Sequence, residues 1–148
     1  MVKDFRKLWE TNAIWVVLIS AAFFRLLAAI FSAGYAFSDD HFVVIEVAQR
    51  WVEGQNEWFD QGKPIRRSIL YPGLHYILFY GLEQLNITDP QTKMLITRFF
   101  HAVYSMLIVI FGYLVTLHSS GPRAARQAGM ILALFWILPF MSVRNLVE

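Results

Sequence analysis

The chain contains no cysteine, which excludes disulfides, iron–sulfur clusters and thiolate-held zinc. Charge is sparse. Asp, Glu, Lys and Arg make up 16% of the 148 residues, against about a quarter in a typical soluble domain. Four scattered histidines form no His-x-x-x-His pair, so a histidine-rich metal site is not expected and no cofactor is implied, the metal requirement staying open. A formal net charge of +2, with no basic stripe interleaved with aromatics, argues against a nucleic-acid partner. Gly/Ser linkers, low-complexity tracts and internal repeats are also missing, so residues 1–148 read as one unit. No nucleotide-binding motif is present.

What remains is apolar. Hydrophobic residues are 57% of the chain and aromatics 16%, the latter expected where rings gather at membrane interfaces. The run Ala13 to Phe37, interrupted by the single charge of Arg25, makes a helix of roughly 37 Å at 1.5 Å per residue, enough to cross a bilayer core of about 30 Å. It is too long for a signal-peptide core and reads as a retained anchor. Two further spans are expected, at 94–118 and 127–143. The mixed-composition segment 38–93 between the first two reads as an external loop. Within it, Ile69 to Leu82 carries no charge but holds Pro72 and Gly73; its length suits a re-entrant or interfacial helix rather than a span. Lys3, Arg6 and Lys7 precede the first span, and Arg123 and Arg126 follow the second. If Ile69–Leu82 does not cross, both basic groups lie on the cytoplasmic side, as the positive-inside rule prefers. The expected architecture is therefore all-α and multi-pass: three transmembrane helices, the N-terminus inside, and a long external loop carrying interfacial helices.

Asp39 and Asp40 follow the first span directly, at the surface where a lipid-carried substrate presents its head group. Acids there are candidates for general-base chemistry on a hydroxyl. They are equally suited to start a helix, because Ser38 or Asp39 can cap it and an acid in the first turn complements the dipole. Asp40 to Glu53 reads as an amphipathic interfacial helix, with Glu46 and Arg50 a favourable i,i+4 pair. Arg25, in mid-span, costs at least about 2.5 kcal/mol on insertion scales and should face protein or water, a pairing with a carboxylate being one solution. Arg98 lies nearer the end of its span, where it can snorkel. Arg66 and Arg67 suit a lipid phosphate, through bidentate hydrogen bonds or through plain attraction to anionic head groups. Asn86-Ile87-Thr88 is a glycosylation sequon, a short and common pattern.

In this order these fragments resemble the N-terminal part of a GT-C fold glycosyltransferase, and most closely the family 22 mannosyltransferases of GPI-anchor and lipid-linked-oligosaccharide assembly. The family's Pro-Asp-Glu-x-aromatic-Gln-x-x-Glu pattern is similar to Ser38-Asp39-Asp40-His41-Phe42-Val43-Val44-Ile45-Glu46. Its Arg-Ser-x-x-x-Pro signature resembles Arg67-Ser68-Ile69-Leu70-Tyr71-Pro72. Ile96-Thr97-Arg98-Phe99 is similar to the start of its next span, and Arg144-Asn145-Leu146-Val147-Glu148 to its Arg-x-x-x-Asn-x-x-Glu motif. Ser38, Asp40 and Val43 depart from the pattern; Asp39 keeps it.

The resemblance implies inverting transfer of a sugar, mannose in the first instance, from a polyprenyl-phosphate donor to a hydroxyl of a lipid-linked or surface glycan. It implies Asp39 as base, Asp40 and Glu46 as orienting acids, and Arg67 with His41 on the donor phosphate. The partners implied are the lipid-linked sugar donor, a glycan or lipid acceptor and membrane lipids. A prokaryotic plasma membrane is favoured over the endoplasmic reticulum. Because the family has about ten or more spans, the chain is expected to be an N-terminal fragment, inactive alone. The rival reading is a non-catalytic transporter or assembly subunit in which Asp39, Asp40 and Arg25 serve gating or helix pairing.

Overall fold

The first apolar run folds as helix α1, Ala13–Phe31, 19 residues and so about 28 Å long. The computed structural model describes residues 9, 11–32, 41–55, 59–60, 63–64 and 68–144. Along the chain follow a π-helical turn (His41–Glu46), α2 (Val47–Val52), a two-residue antiparallel ladder of β1 (Phe59–Asp60) with β2 (Lys63–Pro64), α3 (Leu70–Gln84), α4 (Pro90–Leu134) and α5 (Ile137–Ser142). Apart from that ladder the described residues are helical or connecting. Two helices, α1 and α4, are long and apolar enough to cross a membrane. The described residues fall into two compact units, one from 1–33 with 98–144 and the other from 34–97.

In the first unit the usual distribution of side chains is inverted. The buried face of α1 is Ala13, Val17, Ala21, Arg25 and Ala29, a strict four-residue stripe of mostly small side chains, whereas Trp15, Ile19, Phe23, Leu26, Ile30 and Phe31 are exposed. Helix α4 repeats the pattern: Ala102, Ser105 and Val109 are buried, while Phe100, Val103, Tyr104, Phe111 and Val115 are exposed. A water-soluble surface does not expose contiguous apolar area on this scale. Small residues between helices with large apolar ones outside is how helices pack in lipid.

Helix α4 is two limbs: Gly121 breaks it with φ 83° and ψ 178°, a conformation open essentially to glycine alone. Pro122 then starts the second limb, where its missing N–H costs nothing. The chain reverses there. Residues nearly equidistant from Gly121 come together: a Cβ on Gly129 would lie 2.9 Å from Tyr113 Cδ2, and one on Gly112 would lie 2.3 Å from Leu132 Cδ1. The turn expected at Ser119–Arg126 thus contracts to a single residue between helical limbs 90–120 and 122–134. The third apolar segment, expected at 127–143, is helical to Leu134, interrupted at Phe135–Trp136 and resumed in α5. Val143, just past α5, is buried with Ala29 and Ala102.

The second unit is built on the amphipathic segment after α1. Here the expectation of one regular helix from Asp40 to Glu53 changes. Among the described residues it begins as a π-turn and becomes α-helical at Val47. Its apolar side faces protein rather than an open interface: Val44, Ile45 and Ala48 are buried with Phe79 and Leu82 of α3, and Met94 and Ile96 pack against them. Helix α3 buries Pro72, His75, Phe79 and Leu82 but exposes Ile69, Leu70, Leu74, Ile77 and Tyr80 at its start and along its other side. At 15 residues, about 22 Å, it is too short to span. It ends in a Schellman motif, Ile87 N–H on the Leu82 carbonyl at 2.9 Å and Asn86 N–H on that of Glu83 at 2.9 Å, with Asn86 at φ 60°. Asparagine tolerates that left-handed position.

Candidate functional site

Of the residues proposed for chemistry, Asp39, Asp40 and Arg67 lie outside the described residues, as does the side chain of His41, whose backbone opens the π-turn. Glu46, the last residue of that turn, is described. Its carboxylate is 3.5 Å from Arg50, the i,i+4 pair that the spacing predicts. A π-turn adds one residue to the helical repeat and is found disproportionately at functional sites. Here it fixes how Glu46 emerges relative to the buried Val44 and Ile45 immediately before it.

Glu46 lines a cavity of about 300 Å³ within the second unit. Its polar wall is Glu46, Gln49, Glu53, Thr88 and Lys93, and its apolar wall Ile45, Phe79, Pro90 and Met94. Among the lining residues Lys93 is only 4% exposed. The ammonium donates to Glu83 Oε1 at 2.8 Å and to Gln49 Oε1 at 2.9 Å, and stands 5.7 Å from the centre of the Phe79 ring. Gln49 Nε2 in turn donates to Glu53 Oε1 at 3.0 Å and to Glu83 Oε1 at 3.1 Å. A lysine this buried needs such partners, because an uncompensated ammonium out of water is strongly unfavourable. The donors from Lys93 and Gln49 hold the Glu83 carboxyl below its ordinary range. The network was not foreseen. Its members lie 44 and 10 positions from Lys93, beyond any local periodicity.

Two neighbours complete the surroundings. Asp89 caps α4, accepting from Thr92 N–H and from Thr92 Oγ1, both at 2.7 Å, and these donors lower its pKa. His75 is buried, and desolvation pulls its pKa down against the opposing hydrogen bond to the Tyr71 carbonyl. That bond, 3.0 Å from Nδ1, requires the proton on Nδ1, since a carbonyl only accepts. Among the described residues no group of three His, Asp or Glu side chains is placed to hold a metal ion.

The arginines of the first unit have different partners from those expected. Arg25, 1% exposed, meets no carboxylate among the described residues. Its Nε donates to Ser105 Oγ at 2.9 Å, Nη1 to the Ala21 carbonyl at 3.4 Å and Nη2 to the Leu132 carbonyl at 3.4 Å. Leu132 is in the last turn of the 122–134 limb, whose carbonyls have no intrahelical partner, so the guanidinium caps a helix C-terminus. Arg98 does likewise, donating to the carbonyl of Ser32 at the end of α1. It is buried rather than snorkelling, because a helix end supplies the acceptor that water would otherwise provide.

Compared with known protein families, residues 15–147 match the Alg9-like mannosyltransferase family. No curated protein sequence and no solved structure matches the chain significantly.

Proposed function

The chain belongs to the Alg9-like mannosyltransferase family, and from that premise we propose that it forms the entrance and part of the active site of a membrane mannosyltransferase using a polyprenyl-phosphate sugar. The observation that carries this reading is the extent of the family match, which spans the first apolar helix, the loop and the α4 hairpin together. The inverted packing of the first unit supports a lipid setting, and the Gly121 reversal supports three membrane-embedded segments with 38–93 outside.

The reaction is inverting. Asp39 deprotonates the acceptor hydroxyl as its oxygen attacks the anomeric carbon, the C–O bond to the donor phosphate breaks, and the lipid phosphate leaves as an anion. This is the role of the base carboxylate in an inverting glycosidase, with a sugar hydroxyl in place of water. Arg67 and His41 hold the departing phosphate, whose developing charge requires positive partners. Asp40 and Glu46 orient the base and the acceptor. The acceptor is a lipid-linked or surface glycan.

The test is Asp39→Asn in the protein expressed from its complete reading frame. Asparagine ranks with aspartate as a helix cap, so expression and thermal stability should hold while sugar transfer falls by about 10²–10⁴-fold. Near-normal transfer would reduce Asp39 to a cap and remove the proposed base.

A further inference from the structure

We propose that the Lys93 cavity is a binding site for a neutral saccharide, holding a sugar unit of the acceptor by its ring hydroxyls. The assignment rests on the mannosyltransferase reading above and adds to it the site's ligand class and its residues.

The size and the lining both select the ligand. About 300 Å³ is at the small end of ligand sites and takes one or two hexose rings rather than a lipid chain. Two lining carboxylates, Glu46 and Glu53, stand against one lining cation, Lys93, whose charge is already met by Glu83. This balance disfavours a phosphate or any other anion. A cation would meet the Lys93 ammonium. A neutral polyol meets neither obstacle, because each hydroxyl both donates and accepts. Two of the three ammonium donors of Lys93 are taken by Gln49 and Glu83, and among the described residues the third has no acceptor. Glu53 uses Oε1 for Gln49, leaving Oε2 to accept from a hydroxyl, and the Thr88 hydroxyl at the rim does both. Ile45, Pro90 and Met94 offer an apolar wall to the C–H face of a ring. The Gln49 bridge locks Glu53 relative to Lys93, so the acceptor and the donor are positioned before the ligand arrives.

The experiment is binding to the 148-residue chain in detergent micelles, followed by saturation-transfer and NOE NMR, with mannobiose, mannose 6-phosphate and inorganic phosphate as probes. Mannobiose should bind saturably with NOEs to the Met94 methyl and the Ile45 side chain. Glu53→Gln, an exposed change, should weaken it roughly tenfold, as expected for one lost charge-assisted hydrogen bond. Thr88→Phe, which fills the mouth without touching the network, should abolish it. Near-ultraviolet circular dichroism of both variants should match the parent. No saturable mannobiose binding, binding unchanged in both variants, or preference for mannose 6-phosphate or phosphate at the same NOE partners would each overturn the assignment. The readout needs no turnover. Failure of the base reading at Asp39 and failure of this site are therefore separate results.

Discussion

Glu83 and Asp89 sit near the ordinary protein surface, yet both hold their protons less tightly than a free carboxylate, because Lys93, Gln49 and Thr92 donate to the ionised forms. A depressed pKa in the folded state contributes stability that is present above the unfolded value, about 4, and is lost as pH falls through the folded one. Thermal stability of the chain in micelles should therefore weaken first below about pH 6.5, where the unfolded His75 takes up a proton that the buried ring resists, and fall again below about pH 4 as the two carboxylates lose their bonds. Glu83→Gln and Asp89→Asn should each shallow that acid limb, and an unchanged limb in both would show that these bonds do not couple to unfolding. At this scale the sequence was legible only where partners are local. Glu46 with Arg50 follows from i,i+4 spacing. Lys93 with Gln49 does not, and Asn86, readable only as part of a sequon, turns out to carry the left-handed residue of a helix cap.

Among elements, hydropathy locates α1 and α4 well but not where they stop. Residues 33–37 carry no charge, like most of those before them, so charge does not mark the end of α1 at Ser32; the carbonyl there is taken by Arg98. The α4 break is readable in retrospect as Gly121-Pro122, a glycine conformation followed by a helix-starting proline. What could not be read is how tightly the limbs close. A Cβ on Gly129 would meet Val17 Cγ1 at 2.9 Å as well as Tyr113, and valine is stiff at χ1. Gly129→Ala should thus cost about 1–3 kcal/mol by overpacking, seen as a lower melting temperature in micelles. Gly129→Ala combined with Val17→Ala should recover much of it. No recovery in the double variant would place the strain elsewhere.

At the scale of the whole molecule, the three-segment reading fixes sidedness. Single cysteines at Gln55 and Ser119, both exposed, have no native thiol to compete with them. On the three-segment reading they should label with an impermeant maleimide from opposite faces of the membrane. Labelling of both from one face would mean that α3 also crosses. The exposed Leu74, Ile77 and Tyr80 side of α3 fits the alternative the charge pattern favours, a helix lying half in the interface. That a short helix forms here was legible from the length of the uncharged run. Hidden from composition was the other side of the same helix, given over to the cavity unit through Phe79 and Leu82.

Arg25 has a consequence for biosynthesis. Its acceptors Ser105 and Leu132 follow it by 80 and 107 residues. At roughly 5–20 residues per second, the nascent α1 waits on the order of 5–20 s before both have left the ribosome. Until then the guanidinium has only its own helix's carbonyl at Ala21 and whatever the insertion machinery or bent lipid supplies. The hairpin of α4 is thus the arrival that makes the first helix tenable. In a membrane-insertion assay, chains cut short before residue 105 should hold α1 stably in the bilayer only if Arg25 is first made apolar.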